Sequence, residues 1–292
     1  MKKTYSSLIL LLTALIWGLA FVSQSEASGV VGPLGYNGLR MILGSVVLIP
    51  LFIRETKGKD GKYLGGLFRD GALCGVLLGC ASFFQQWGIE YTSAGKAGFI
   101  TSLYILIVPV VSLFLGKKNS GRTWICVLTG LVGAFLLSVS GSEGIGKGDA
   151  LVFVCAVIFA LHVLTIDRVG KKYSGPELSC VQFFTAGVGA FILSLIFEDN
   201  TIKDIQSALV PILYGGIGSC GIAYTLQIIG QKDTPPAKAT LILSLESVFS
   251  AIGGAVILHE RMETREIIGC VILFVSVLIA QLPENPEKSN PS

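Results

Sequence analysis

The sequence predicts an all-α membrane protein of ten transmembrane helices, arranged as two inverted five-helix repeats. Three observations carry that expectation. The 292 residues are 52% hydrophobic and only 14% charged, against about 25% charged in soluble domains, and the mean hydropathy is +0.72. Ten apolar runs follow one another, each long enough to cross roughly 30 Å of hydrocarbon as a helix. One stretch also occurs twice, 142 residues apart: T-S-A-G-K-A-G-F-I-T-S-L-Y-I-L-I-V-P from Thr92 to Pro109, and T-P-P-A-K-A-T-L-I-L-S-L-E-S-V-F-S-A from Thr234 to Ala251. Strands are excluded because the runs do not alternate and an open sheet edge cannot survive in lipid.

The spans are expected near 7–24, 34–53, 70–90, 95–116 and 122–140 in a first repeat of residues 1–141. In a second repeat, 146–283, they fall near 148–168, 177–197, 207–230, 236–257 and 264–282. The remainder, 284–292, reads as a disordered polar tail on the cytoplasmic side. Met1-Lys2-Lys3, an apolar core and Ser25-Glu26-Ala27 mimic a secretory leader. Yet Ala14-Leu15-Ile16-Trp17 corresponds to Ala156-Val157-Ile158-Phe159 at the same offset, so the first span is read as a retained helix.

Sixteen of the 22 lysines and arginines fall in segments on one side, five on the other, and Arg40 alone inside a span. Cytoplasmic loops carry the excess, which puts both termini in the cytoplasm of a multi-pass cell-membrane protein. Pro33 and Gly44 in span 2 match Pro176 and Gly187 in span 7, and Arg122 matches Arg265. An odd number of spans per copy makes the second copy enter the membrane in the opposite sense. Gly71, Gly75 and Gly79 form a ridge suited to close helix approach. The seven cysteines lie inside apolar runs without a C-x-x-C pair and read as packing residues.

Polar groups inside spans are functional candidates, because a charge at the bilayer centre costs roughly 2.5–3.5 kcal/mol even on insertion scales. Arg40 lies about a third of the way down span 2 and is read as facing a cavity in contact with substrate or as held in an internal ion pair, with outward snorkelling as the alternative. Glu246 lies near the middle of span 9, where desolvation disfavours the charged carboxylate unless a cation is near, as proton coupling would require; the alternative is a structural glutamate bonded to backbone or paired with Arg40. Its repeat mate is Tyr104. Lys96 and Lys238 start matched helices, where the helix dipole disfavours a cation; they are read either as paired gates for an anionic or zwitterionic substrate or as interfacial snorkels. Trp17 and Gln86 join the substrate-binding candidates. Gln85, Trp87, Gln182, Tyr224 and Gln227 are further cavity-type side chains, each also explicable as helix–helix glue. His162 is a candidate relay, with a satisfied structural histidine as the alternative reading.

No nucleophile–base pair or metal-ligand spacing is present, so neither catalytic residues, a metal nor a cofactor is expected. The net charge of +3 is too small to indicate nucleic acid. Gly216–Gly221 matches the dinucleotide pattern G-x-G-x-x-G, but lies mid-membrane with no strand before it.

Several segments together carry a resemblance: Leu15-Ile16-Trp17-Gly18, Arg40, Thr92–Pro109, Gly148-Asp149-Ala150-Leu151, Leu245-Glu246-Ser247-Val248 and His259-Glu260. In that order the chain resembles the EamA family of the drug/metabolite transporter superfamily over nearly its whole length. Ser247 stands where that pattern has proline, and Gly116-Lys117 lacks the acid of His259-Glu260. The resemblance implies a central cavity lined by spans 1–4 and 6–9, with spans 5 and 10 peripheral. It also implies secondary transport, chiefly efflux, of amino acids, related metabolites or drugs. The expected partners are a small-molecule substrate, the lipid bilayer and a coupling proton, with a homodimer as an admissible assembly. Import in the same fold, and a non-transporting structural or lipid-handling protein, are the alternatives.

Overall fold

The computed structural model describes residues 2–92, 94–117, 119–138, 145–257 and 262–282. His259, Glu260 and the tail 284–292 lie outside the described residues. Every regular element among the described residues is helical. The first half holds α1 (Lys2–Ala27), α2 (Pro33–Thr56), α3 (Gly61–Ile89), α4 (Ala94–Ser102), α5 (Tyr104–Phe114) and α6 (Gly121–Ser138). The second holds α7 (Lys147–Val169), α8 (Gly175–Phe197), α9 (Ile202–Ser207), α10 (Leu209–Leu213), a π-helical segment (Tyr214–Tyr224), α11 (Thr225–Gln231), α12 (Pro236–Leu243), α13 (Glu246–Ile257) and α14 (Thr264–Gln281).

Eight helical stretches among the described residues are long and apolar enough to cross a membrane, so the chain is a multi-pass membrane protein. Two expected spans fall short of that measure. The one near 122–140 contains only the shorter apolar stretch Gly121–Leu137, and the one near 236–257 is divided into α12 and α13.

That division has a local cause, and it occurs twice. Ser244 Oγ donates back to Leu241 O at 2.8 Å, and Leu245 N–H to Ile242 O at 3.1 Å. Ser102 Oγ donates to Phe99 O at 2.7 Å, and Leu103 N–H to Ile100 O at 3.2 Å. Both patterns are shifted by 142 residues. A serine hydroxyl competing for a helical carbonyl, followed by a tightened i→i+3 bond, bends or interrupts a helix. Tyr104 and Glu246 each begin the helix after the break.

Glycine sets the crossings. A methyl at Gly88 would lie 2.5 Å from Val152 and 3.0 Å from Gly148 O; one at Gly230 would lie 2.7 Å from Leu10 and 3.1 Å from Ser6 O. These are the same contacts displaced by 142. The ridge of α3 does what its spacing predicts: a methyl at Gly75 would meet Gln182 O at 2.5 Å, while Gly71 faces Val181 and Gly79 faces Ala186. Along α2 and α8 the order runs opposite. Gly35 faces Ser194, Gly38 faces Phe191, Gly187 faces Ile42, and Ser45 Oγ donates to Cys180 O at 3.0 Å. These matched helices are antiparallel. So are α6 and α14, joined at Gly133 and Gly269 and by Ser276 Oγ to Thr129 Oγ1 at 2.9 Å.

The turn between α1 and α2 is pinned by the far end of α8. Glu198 accepts the N–H groups of Leu34 and Gly35 at 2.8 and 2.7 Å, and Asn200 Oδ1 accepts Gly32 N–H at 2.8 Å. A carboxylate at a helix N-terminus satisfies orphan donors and complements the dipole. One face of α1 packs against α11, α12 and α13, while Tyr5, Leu8, Leu12 and Leu15 on the other are exposed.

Candidate functional site: a cleft lined by both repeats

A narrow cleft runs between α1, α2, α3, α4, α5, α7, the π-helical segment, α11, α12 and α13. It holds about 540 Å³ of space between atoms, open side included. Its walls are built from repeat mates. Trp17 and Phe159, Ala20 and His162, Phe21 and Val163, Gln85 and Gln227, Thr101 and Leu243, and Tyr104 and Glu246 all line it, and the members of each pair are 142 residues apart. Gln24, Arg40, Ser219 and Tyr224 complete the lining.

The two mates that differ most in chemistry touch. Tyr104 Oη donates to Glu246 Oε1 at 3.0 Å, both side chains buried. Because each follows a serine break, the two half-helices aim their first residues at one another. Glu246 is not paired with Arg40, the structural alternative for both residues; its hydrogen-bond partner is Tyr104.

Arg40 is 3% exposed. Its Nε and one terminal nitrogen both donate to Asn37 Oδ1, at 3.0 and 2.8 Å, and its guanidinium lies 5.3 Å from the centre of the Tyr36 ring. Asn37 is itself fixed, donating to Pro33 O at 2.8 Å and Ser82 O at 3.1 Å. The π-helical segment supplies the wall: a methyl at Gly215 would lie 3.1 Å from Arg40 Cδ and 3.0 Å from Tyr36 Oη. Among the described residues no carboxylate pairs with Arg40. A buried guanidinium without a counter-ion is unfavourable by several kcal/mol, so a bound anion would be stabilised there.

At the other wall Trp17 packs on Tyr224 with ring centres 4.5 Å apart, and His162 meets the same ring edge-on at 6.2 Å. His162 Nε2 bonds Gln182 Oε1 at 3.1 Å. Gln86 does not line the cleft. It belongs to an amide lattice in which Gln24 Nε2 donates to Gln85 Oε1 and Gln86 Oε1, both at 3.2 Å, and Gln86 Nε2 donates to Gln24 O at 3.1 Å.

Neither lysine lines the cleft. Lys96 Nζ lies 2.7 Å from Asp149 Oδ2, and Asp149 also accepts from Thr92 Oγ1 and Gly146 N–H, each at 2.8 Å. A cation at a helix start is tolerated here because the first turn of α7 supplies the anion. Lys238 is half-buried at the start of α12, away from the cleft.

Two segments of the chain, residues 4–139 and 146–281, each match the EamA-like transporter family. The chain belongs to the EamA-like transporter family. Relatives extend over nearly its whole length. An uncharacterised transporter of Archaeoglobus fulgidus is 29% identical, covering 96% of this chain and 87% of its own. A WAT1-related chloroplast protein of Arabidopsis thaliana is 23% identical over 92% of this chain and 67% of its own. A glucose uptake protein of Staphylococcus xylosus is 24% identical over 97% and 98%. A crystal structure with 20% identity superposes with a TM-score of 0.78 over 95% of this chain and 96% of its own, which shows the fold alone.

Within this EamA-like chain, sequence reasoning singled out Trp17, Arg40, Tyr104, His162 and Glu246, and all five line one cleft. It passed over Asn37, Gln24 and Thr101. Asn37 carried a usable signal: it lies three residues before Arg40, on the same helical face. Asp149 was noted as part of a motif, but its lysine partner is 53 residues away in sequence, and no spacing rule reaches that far.

Proposed function

We propose that this EamA-like protein is a secondary transporter of a small organic molecule bearing a carboxylate, most simply a zwitterion such as an amino acid. It works by alternating access between two inverted five-helix repeats of a ten-span bundle in the cell membrane, with both termini cytoplasmic, and it exports its substrate. The observation that carries the reading is Arg40: buried, oriented by Asn37, and without an acidic partner among the described residues. A substrate carboxylate supplies the missing counter-charge through the bidentate geometry a guanidinium favours. Supporting the inverted arrangement are the antiparallel run of α2 and α8, the mirrored serine breaks and the mirrored lining pairs. Substrate sites at the interface of such repeats suit a mechanism in which one half rocks against the other.

Glu246 is the coupling group in this reading. Tyr104 holds it while it is ionised, and proton binding weakens that hold. The test is flux into proteoliposomes of oriented purified protein, driven by a pH gradient, with an amino-acid panel. Wild type accumulates substrate against its gradient, whereas Glu246→Gln retains counterflow exchange but loses pH-driven accumulation. Full pH-driven accumulation by Glu246→Gln would sink the coupling role. Unchanged KM in Arg40→Gln would sink the carboxylate site. The sidedness of pH-driven accumulation separates export from uptake, the activity in the name of one relative.

A further inference from the structure

Gln85 and Gln227 occupy the same place in the two repeats and both line the cleft, yet their surroundings differ. Gln85 is fully engaged: its Oε1 accepts from Gln24 Nε2 at 3.2 Å, and its Nε2 donates to Thr101 Oγ1 at 3.3 Å. The residues 142 positions beyond those two partners are Ile166 and Leu243. The second repeat therefore keeps the glutamine and replaces both of its partners with hydrocarbon. Gln227 is 1% exposed and its Oε1 has no hydrogen-bond partner among the described residues. Leaving a buried acceptor unpaired is unfavourable, and neither Ile166 nor Leu243 carries a side-chain donor that could relieve it.

Two more cleft residues share this condition, Trp17 at Nε1 and His162 at Nδ1. The three are gathered around Tyr224. Trp17 and His162 pack against its ring, and Gln227 follows it by one helical turn. Their chemistry is countable. Trp17 Nε1–H is a donor; Gln227 Oε1 is an acceptor. With His162 Nε2 directed at the Gln182 carbonyl oxygen at 3.1 Å, the neutral ring leaves Nδ1 as an acceptor. Among their buried atoms, two acceptors and one donor are unmet. A primary carboxamide or ureido group, with two N–H bonds and one carbonyl, is their complement. A carboxylate offers no donor and an ammonium no acceptor.

We infer that Gln227, Trp17 and His162 form a neutral hydrogen-bonding subsite that selects a carboxamide or ureido group on the substrate, distinct from the charge site at Arg40. The inference rests on the transporter reading above for the rest of the ligand. A site built to pair such a group rejects an analogue lacking it far more strongly than an apolar pocket separates two hydrocarbons.

The experiment measures apparent Kd by ligand-dependent melting of the purified full chain with four probes: glutamine, norleucine, glutamate and butyramide. Glutamine is expected to bind at least about tenfold more tightly than norleucine or glutamate. Gln227→Met should bring the glutamine-to-norleucine ratio close to one. Gln227→Glu, which keeps an acceptor oxygen, should retain the preference and serves if the methionine variant does not fold. A wild-type preference for norleucine, an unchanged ratio in Gln227→Met, or an equal loss for all probes would overturn the subsite. If butyramide binds and the three amino acids do not, the subsite stands and the zwitterion reading fails. If none of the four shifts the melting of cooperatively folded wild type, both are overturned.

Discussion

The bond between Tyr104 and Glu246 can be weighed by a double-mutant cycle that also reports the charge on the glutamate. Tyr104→Phe removes one oxygen, the donor 3.0 Å from Glu246 Oε1. Glu246→Leu removes the acceptor at similar volume. Interhelical hydrogen bonds between neutral groups in membrane proteins couple by about 0.6 kcal/mol on average and about 1.7 at most. A bond to an ionised group contributes about 1.5–3 kcal/mol. Both side chains are buried, so the larger figure applies whenever the carboxylate is charged. The coupling energy should therefore rise from about 0.6 kcal/mol at acid pH toward about 2 kcal/mol as pH increases and Glu246 loses its proton. The assay is reversible unfolding of the four proteins in mixed micelles across that pH range, followed by tryptophan fluorescence. Coupling near zero at every pH would show that the two half-helices do not meet through these residues. Coupling that falls as pH rises would refute the assignment of the titration to Glu246.

Other outcomes follow from single contacts. Asp149→Asn should destabilise toward the lower end of the about 3–5 kcal/mol seen when one member of a buried pair is removed, because Lys96 keeps some solvent exposure. Lys96→Gln in that background should recover most of the loss, read as melting temperature. Gly18→Ala places a methyl 2.6 Å from Phe249 Cβ and 2.7 Å from Glu246 O and should cost about 1–3 kcal/mol through separation of α1 from α13. Gly61→Ala, which meets nothing within 4 Å, should change stability by less than about 0.5 kcal/mol.

What could be read from residue order was whatever repeats or has a period. The duplicated stretch located Tyr104 and Glu246, and depth along a span located Arg40 and Trp17. The serine breaks were harder to read, because the family pattern has its proline at the position of Ser247. The structure instead breaks the chain at Ser244, through a hydroxyl whose competition with the backbone depends on local geometry. The partner of Lys96 was out of reach because it is tertiary: Asp149 reaches Lys96 only once α7 lies against α4. The glycine pattern Gly216–Gly221 signalled neither a nucleotide nor an ordinary helix. It lies in the widened π-helical turn that forms the wall beside Arg40, a geometry with no sequence period of its own.

The crossing of α6 and α14 at Gly133 and Gly269 brings one helix onto the main chain of the other, at Leu273 N and Leu137 N. Contacts made by peptide atoms do not depend on which side chains surround them. Such a scaffold can hold its helix geometry while most of its residues drift, provided a hydrogen remains at a few points. The cleft walls are thereby released to vary independently in the two halves. A duplicated gene that starts with a symmetric pore can then acquire an arginine on one wall and a glutamate on another without losing its shape.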